Sequence, residues 1–149
     1  MKILYIYRDY KGRRKKYGEM MERCGHKVIY IKLLEKKIKN QITKKDLKKY
    51  DFDIIWIQAP SYMYYKVISD EAIDYAKSCG KILVMYNTII PDFPYMENME
   101  VWNKFDFLFI HYKDMANDLK EAGVNCYYSP LAFYPSQYRK NTNANKQVA

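Results

Sequence analysis

Short apolar runs alternate along this chain with stretches of helical spacing. Residues 2–7, "KILYIY", form an apolar run closed by charge, the pattern of a buried strand. In residues 12–25, Tyr17, Met20, Met21 and Cys24 recur at intervals of three and four and predict one apolar helical stripe. Gly25 is placed to stop that helix in a left-handed conformation. "HKVIYIKLL" predicts a second strand. Thr43 is a suitable N-cap for "KKDLKKY", with Asp46 at the third helical position completing a variant of the capping box.

The alternation continues with "FDIIWIQ" as a third strand, "APSYMYYK" as a loop and "VISDEAIDYAKSCG" as an amphipathic helix, with Ile68, Ala72, Ile73 and Ala76 on its stripe. "KILVMY" is the fourth strand, and "NTIIPDFPYMENME" a long loop. "FDFLFIH" is the fifth strand, "KDMANDLKEAG" a helix and "VNCYY" a short sixth strand. The phrase helix, glycine, strand therefore occurs three times, at "RCGHKVIYI", "SCGKILVMY" and "EAGVNCYY". Nearly all-apolar strands need cover on both faces, which implies parallel strands between helical layers joined by right-handed crossovers. The expected fold is a Rossmann-like three-layer α/β/α domain with a mainly parallel sheet of about six strands. It spans residues 1–140, and residues 141–149 are expected to be a disordered tail.

Composition narrows the class. The 149 residues suit one domain with a real core, and 49% apolar content excludes a disordered chain. The N-terminal apolar run is too short for a signal-peptide core or a membrane span, so a cytoplasmic, soluble protein is expected. Three cysteines, Cys24, Cys79 and Cys126, lie far apart without CxxC spacing and are expected to be buried thiols.

Net charge is +9, yet 17 of the 26 basic residues and only 5 of the 17 acidic ones fall in residues 1–49. Such asymmetry suits an anionic partner, such as nucleic acid or a phosphate-rich polymer, although lysine runs more often form a solvated face. No RNA- or DNA-binding motif accompanies it, which ranks nucleic acid low.

In open parallel sheets ligands bind beyond the carboxyl ends of the strands. The loop after the first strand has one glycine, Gly12, and neither GxGxxG nor GxxxxGK[ST], so dinucleotide binding and ATP hydrolysis lose support and no cofactor is expected. Arg8, Lys11, Arg13 and Arg14 there surround the expected start of the first helix, where exposed amides favour an anion, and Arg8, Asp9, Tyr10 and Arg13 are candidate substrate contacts. Tyr62 in the loop after the third strand and Asn87 after the fourth complete the candidate substrate contacts. His111, at the end of the fifth strand, is placed to act as a base or to hydrogen-bond a hydroxyl, with Asp92 as its candidate catalytic companion. A histidine packed against the strand end is the plainer alternative, and His26 is read as structural. No nucleophile elbow and no metal-ligand spacing occur. A response-regulator-like domain is disfavoured because Arg8-Asp9 lacks the acidic cluster of a phosphoacceptor pocket.

The segment "FDFLFIHYKDMANDLKEAGVNCYYSPLAFYPSQY" resembles the end of the N-terminal domain of GT-B glycosyltransferases of the CgeB-like, spore-maturation type. The resemblance runs from the strand Asp106–Ile110 through a helix stopped at Gly123 to Pro130, Leu131 and Ala132, then an aromatic residue and a proline. "KILYIY" with "YGEMMERCGHKVIYI" is similar to the family's start. The resemblance implies the acceptor-side half of an enzyme that transfers sugar from a nucleotide-sugar donor. It further implies a donor-binding domain supplied in cis or in trans, without which this half is inactive, and a saccharide, protein or small-molecule acceptor. An apolar docking face is then expected near Phe133, Tyr134 and Tyr138. Asp92 alone answers the aspartates that the family carries after the fourth strand.

Overall fold

The computed structural model describes residues 1–8, 15–33, 42–59, 67–87 and 95–130. Its strands are β1 (Lys2–Arg8), β2 (Lys27–Leu33), β3 (Ile54–Ala59), β4 (Ile82–Asn87), β5 (Phe107–Ile110) and β6 (Cys126–Tyr128). Its helices are α1 (Lys15–Arg23), α2 (Lys44–Leu47), α3 (Asp70–Ser78), α4 (Met99–Trp102) and α5 (Lys113–Glu121). The strands form one all-parallel sheet in the order β2-β1-β3-β4-β5-β6, the expected Rossmann-like architecture.

The two faces of this sheet differ in chemistry. Ile6, Ile57, Met85, Leu108 and Cys126 line up across one face, joined by Leu4, Ile55 and Leu83. That aliphatic face is buried under Leu47 of α2, Ala72, Ile73 and Ala76 of α3, Trp102 of α4 and Met115, Ala116 and Leu119 of α5. The opposite face carries the rows Tyr30, Tyr5, Trp56, Val84, Phe107 and Lys32, Tyr7, Gln58, Tyr86, Phe109, Tyr127. Among the described helices only α1 packs on this aromatic face, through Tyr17 and Met21 against Ile3, Tyr5 and Tyr7. Right-handed crossovers explain the imbalance. The chain moves one way from β1 to β2, then reverses past β1 and adds every later strand in the other direction. Every later crossover helix therefore falls on the opposite side from α1.

Local signals place the elements. Gly25 has φ +85° and the same stop recurs at Gly80 and Gly123, so each of these helices ends on a residue that tolerates the left-handed region. Within α1 the buried position is Gly18, where an added Cβ would come within 2.3 Å of the Tyr30 ring. Met20 and Cys24, expected on the apolar stripe, face solvent, because the helix meets the sheet through Tyr17, Gly18 and Met21. Cys79 is also exposed, at the end of α3. Only Cys126 is the buried thiol expected, and burial pushes it up to about 11. Ile68 precedes α3, which Ser69 caps, and pairs instead with Ile42 in an isolated parallel bridge. Part of the expected long loop after β4 is helical, a 3₁₀ turn at Tyr95–Asn98 running into α4.

The capping box at α2 forms as the sequence predicts: the Asp46 amide donates to the Thr43 hydroxyl, and the Thr43 amide donates to the Asp46 carboxylate. Lys49 first, then Thr43, holds the Asp46 carboxyl well below the usual carboxylate range. A depressed carboxyl pKa stabilises the fold above its unfolded value, about 3.9, and the gain is lost as pH falls through the folded value. Urea midpoints are therefore expected to drop in acid below about pH 4, with a shallower drop for Asp46→Asn. At neutral pH Thr43→Ala should lose about 1 kcal/mol.

Candidate functional site

The reversal of strand order lies between β1 and β3, and ligands of such sheets bind beyond the carboxyl ends of the strands at that point. What the sequence places there is a set of tyrosines around one buried amide. Gln58 is 2% exposed, and its side-chain carbonyl accepts a hydrogen bond from the Tyr5 hydroxyl. Tyr5 and Tyr7 stack with ring centroids 5.0 Å apart, and the Tyr30 ring meets both edge-on. From the β4 side Tyr86 approaches Tyr17 of α1, centroid to centroid 5.8 Å. Among the described residues the Tyr86 hydroxyl is buried with no partner in hydrogen-bonding geometry. Burial, and then the nearby Tyr17, raise its pKa.

Tyr5, Tyr7, Gln58 and Tyr86 are each no more than 6% exposed, so the cluster is packed beneath α1 and meets solvent at the half-buried Tyr17, whose ring and phenol can cover a flat face, donate and accept. Charge enters the cluster at its β2 margin, where Lys32 pairs in register with Tyr7 and Glu22 and Glu19 lie near Tyr30.

Of the sequence-derived candidates, Arg8, Asn87 and His111 lie among the described residues, at the ends of β1, β4 and β5. Asn87 pairs in register with Ile110, the residue before His111, so these two candidates share one end of neighbouring strands. Arg8 stands two strands from Asn87, about 10 Å away at the usual strand spacing. His111 is half-buried, and its ring lies 4.2 Å from that of Tyr112. Asp9, Tyr10, Arg13, Tyr62 and Asp92 lie outside the described residues, as do Phe133, Tyr134, Tyr138 and the tail 141–149. Sequence reasoning missed Gln58, Tyr5 and Tyr86. The available signal was the lone polar residue closing "IIWIQ".

The basic first third is partly neutralised within the fold. Lys2 pairs with Asp51, Lys15 with Glu19, Lys44 with Glu71 and Lys49 with Asp46. At the amino end of the sheet, away from the tyrosine cluster, a shallow hollow of about 250 Å³ lies between Lys48, Phe52, Tyr75 and Lys81. Its lysines rest over aromatic rings, Lys48 on Tyr75 and Lys81 on Phe52. Among the described residues no group of three or more His, Cys, Asp or Glu is arranged to hold a metal ion, and no helix is long and apolar enough to cross a membrane.

The chain matches no family model, no curated protein and no solved structure. Its own geometry therefore carries the functional argument.

Proposed function

We propose that this chain is the acceptor-side half of a GT-B glycosyltransferase, working with a donor-binding domain. The observation that carries the reading is the cluster of Tyr5, Tyr7, Tyr17 and Tyr86 around Gln58 at the strand-order reversal. At Tyr17, the half-buried edge of that cluster, a ring and a hydroxyl suit a sugar, which offers flat C–H faces and a rim of hydroxyls. The resemblance of residues 105–138 to the end of such a domain supports the same reading. Transfer needs acceptor and donor held in near-attack geometry between two walls, and one wall alone holds a single reactant. In this reading His111 is the candidate base for the acceptor hydroxyl and Asn87 a neighbouring contact.

The test is a pair of titrations followed by NMR, with oligosaccharides in one and nucleotide-sugars in the other. Saccharides are expected to shift tyrosine and His111 resonances, and nucleotide-sugars to leave the spectrum unchanged. Adding a separately produced donor-binding domain should then give transfer that His111→Ala reduces at least 100-fold. Absence of saccharide binding would overturn the proposal. Tight binding to a phosphate-rich polymer, falling steeply with salt, would favour the anionic-partner reading instead.

A further inference from the structure

The amino end of the sheet, away from the tyrosine cluster, carries positive charge that the fold leaves unmatched. The hollow between Lys48, Tyr50, Phe52, Tyr75 and Lys81 adjoins a second one, of about 340 Å³, that shares Lys48 and adds Lys44 and Lys45. The neighbouring carboxylates Asp51, Glu71 and Asp46 already hold Lys2, Lys44 and Lys49. Among the described residues Lys45, Lys48 and Lys81 have no carboxylate within ion-pair distance. The helix ends do not use their ammonium groups either. At the end of α3 the Gly80 and Lys81 amides donate to the carbonyls of Lys77 and Ala76, and at the end of α2 the Lys48 amide donates to that of Lys44.

Packing holds the cations in place. Lys48 Nζ lies 5.7 Å from the centre of the Tyr75 ring, and Lys81 Nζ lies 5.6 Å from that of Phe52. A ring face attracts an ammonium group through its charge and leaves N–H donors free for an anion. With Tyr75 and Phe52 covered in this way, a run of stacked bases has a single exposed ring, Tyr50, to meet. The wall between the lysines is apolar, formed by Leu47, Tyr50 and Phe52. A bare phosphate chain has nothing to bury against that wall, whereas a peptide brings carboxylates and apolar side chains together.

We propose that this hollow docks an acidic segment of a partner protein, with carboxylates on Lys45, Lys48 and Lys81 and one apolar side chain seated between Tyr50 and Phe52. These residues lie at the other end of the sheet from the tyrosine cluster, so the docking is independent of sugar transfer. The probe is a capped pentapeptide of four glutamates around a central phenylalanine, titrated into the full chain and followed by NMR. Shifts are expected at Lys48, Tyr50, Tyr75 and Lys81, and none at Tyr17 or His111. Replacing the central phenylalanine of the peptide by alanine should weaken binding roughly fivefold. The Lys48→Gln/Lys81→Gln variant should weaken it roughly tenfold, with the far-ultraviolet spectrum unchanged, and added salt should weaken it in the wild type. A peptide that fails to bind, or that binds the double variant as tightly, would overturn the docking site. So would equal affinity of the phenylalanine and alanine peptides. Tighter binding of tripolyphosphate or an oligothymidylate at the same residues would also overturn it, and would assign the hollow to phosphate.

Discussion

Replacing Trp102 by alanine is expected to lower the unfolding free energy by about 3–5 kcal/mol. Trp102 is 1% exposed and is the side chain through which α4 enters the aliphatic core. Its indole N–H also donates to the Tyr95 carbonyl at 2.7 Å, tying α4 to the 3₁₀ turn before it. Two separable effects follow. Trp102→Phe retains most of the apolar burial and should lose about 1–2 kcal/mol for the missing donor and the smaller ring. Trp102→Ala adds a cavity that a four-residue helix is too short to collapse around without leaving its place. Urea unfolding of the full chain measures both. Equal, small losses would mean that α4 is dispensable to the core.

The second large effect concerns Gln58. Gln58→Leu should destabilise the protein by about 1–3 kcal/mol, because it removes the acceptor that the buried Tyr5 hydroxyl donates to. Tyr5→Phe alone should cost about 1 kcal/mol. The double variant is expected to cost less than the two singles together, by roughly 0.5–3 kcal/mol, since removing both partners strands neither. Strict additivity would show that the pair is not coupled. The same variants bear on function: in the proposed reading Gln58→Leu weakens saccharide binding beyond its effect on stability, which saccharide titration of the folded variant reads directly.

The strands and their direction were legible from the repeated phrase of helix, glycine and apolar run. Each repeat forces the chain back to the same end of the sheet before the next strand, and parallel pairing follows. Strand order was not legible. A crossover of fixed hand permits a step either way along the sheet, and nothing local in residues 34–53 signals the reversal past β1. The exposed Cys24 and Cys79 show a related limit: both sit at helix ends just before a glycine, where the chain turns away from the core and a stripe inferred from spacing no longer applies. The tyrosine cluster was hidden for a different reason. Tyr5 and Gln58 are 53 residues apart, and a tyrosine inside an apolar run reads as packing until its neighbours across the sheet are known. What could be read was the set of strand ends, which brought Asn87 and His111 to adjacent strands.

The strand order also decides which backbone remains open to other chains. Among the described residues the sheet's outer margins are β2 and β6, and margins of this kind recruit foreign strands. The β6 margin is only three residues long, too brief to template an intruder. The seven-residue β2 margin carries solvent-facing Lys27 and Lys32 near its two ends, so an approaching strand must strip water from a cation wherever it docks. Two lysines of the first third of the chain, Lys27 and Lys32, thus stand on its longer flank, where charge disfavours the addition of a foreign strand.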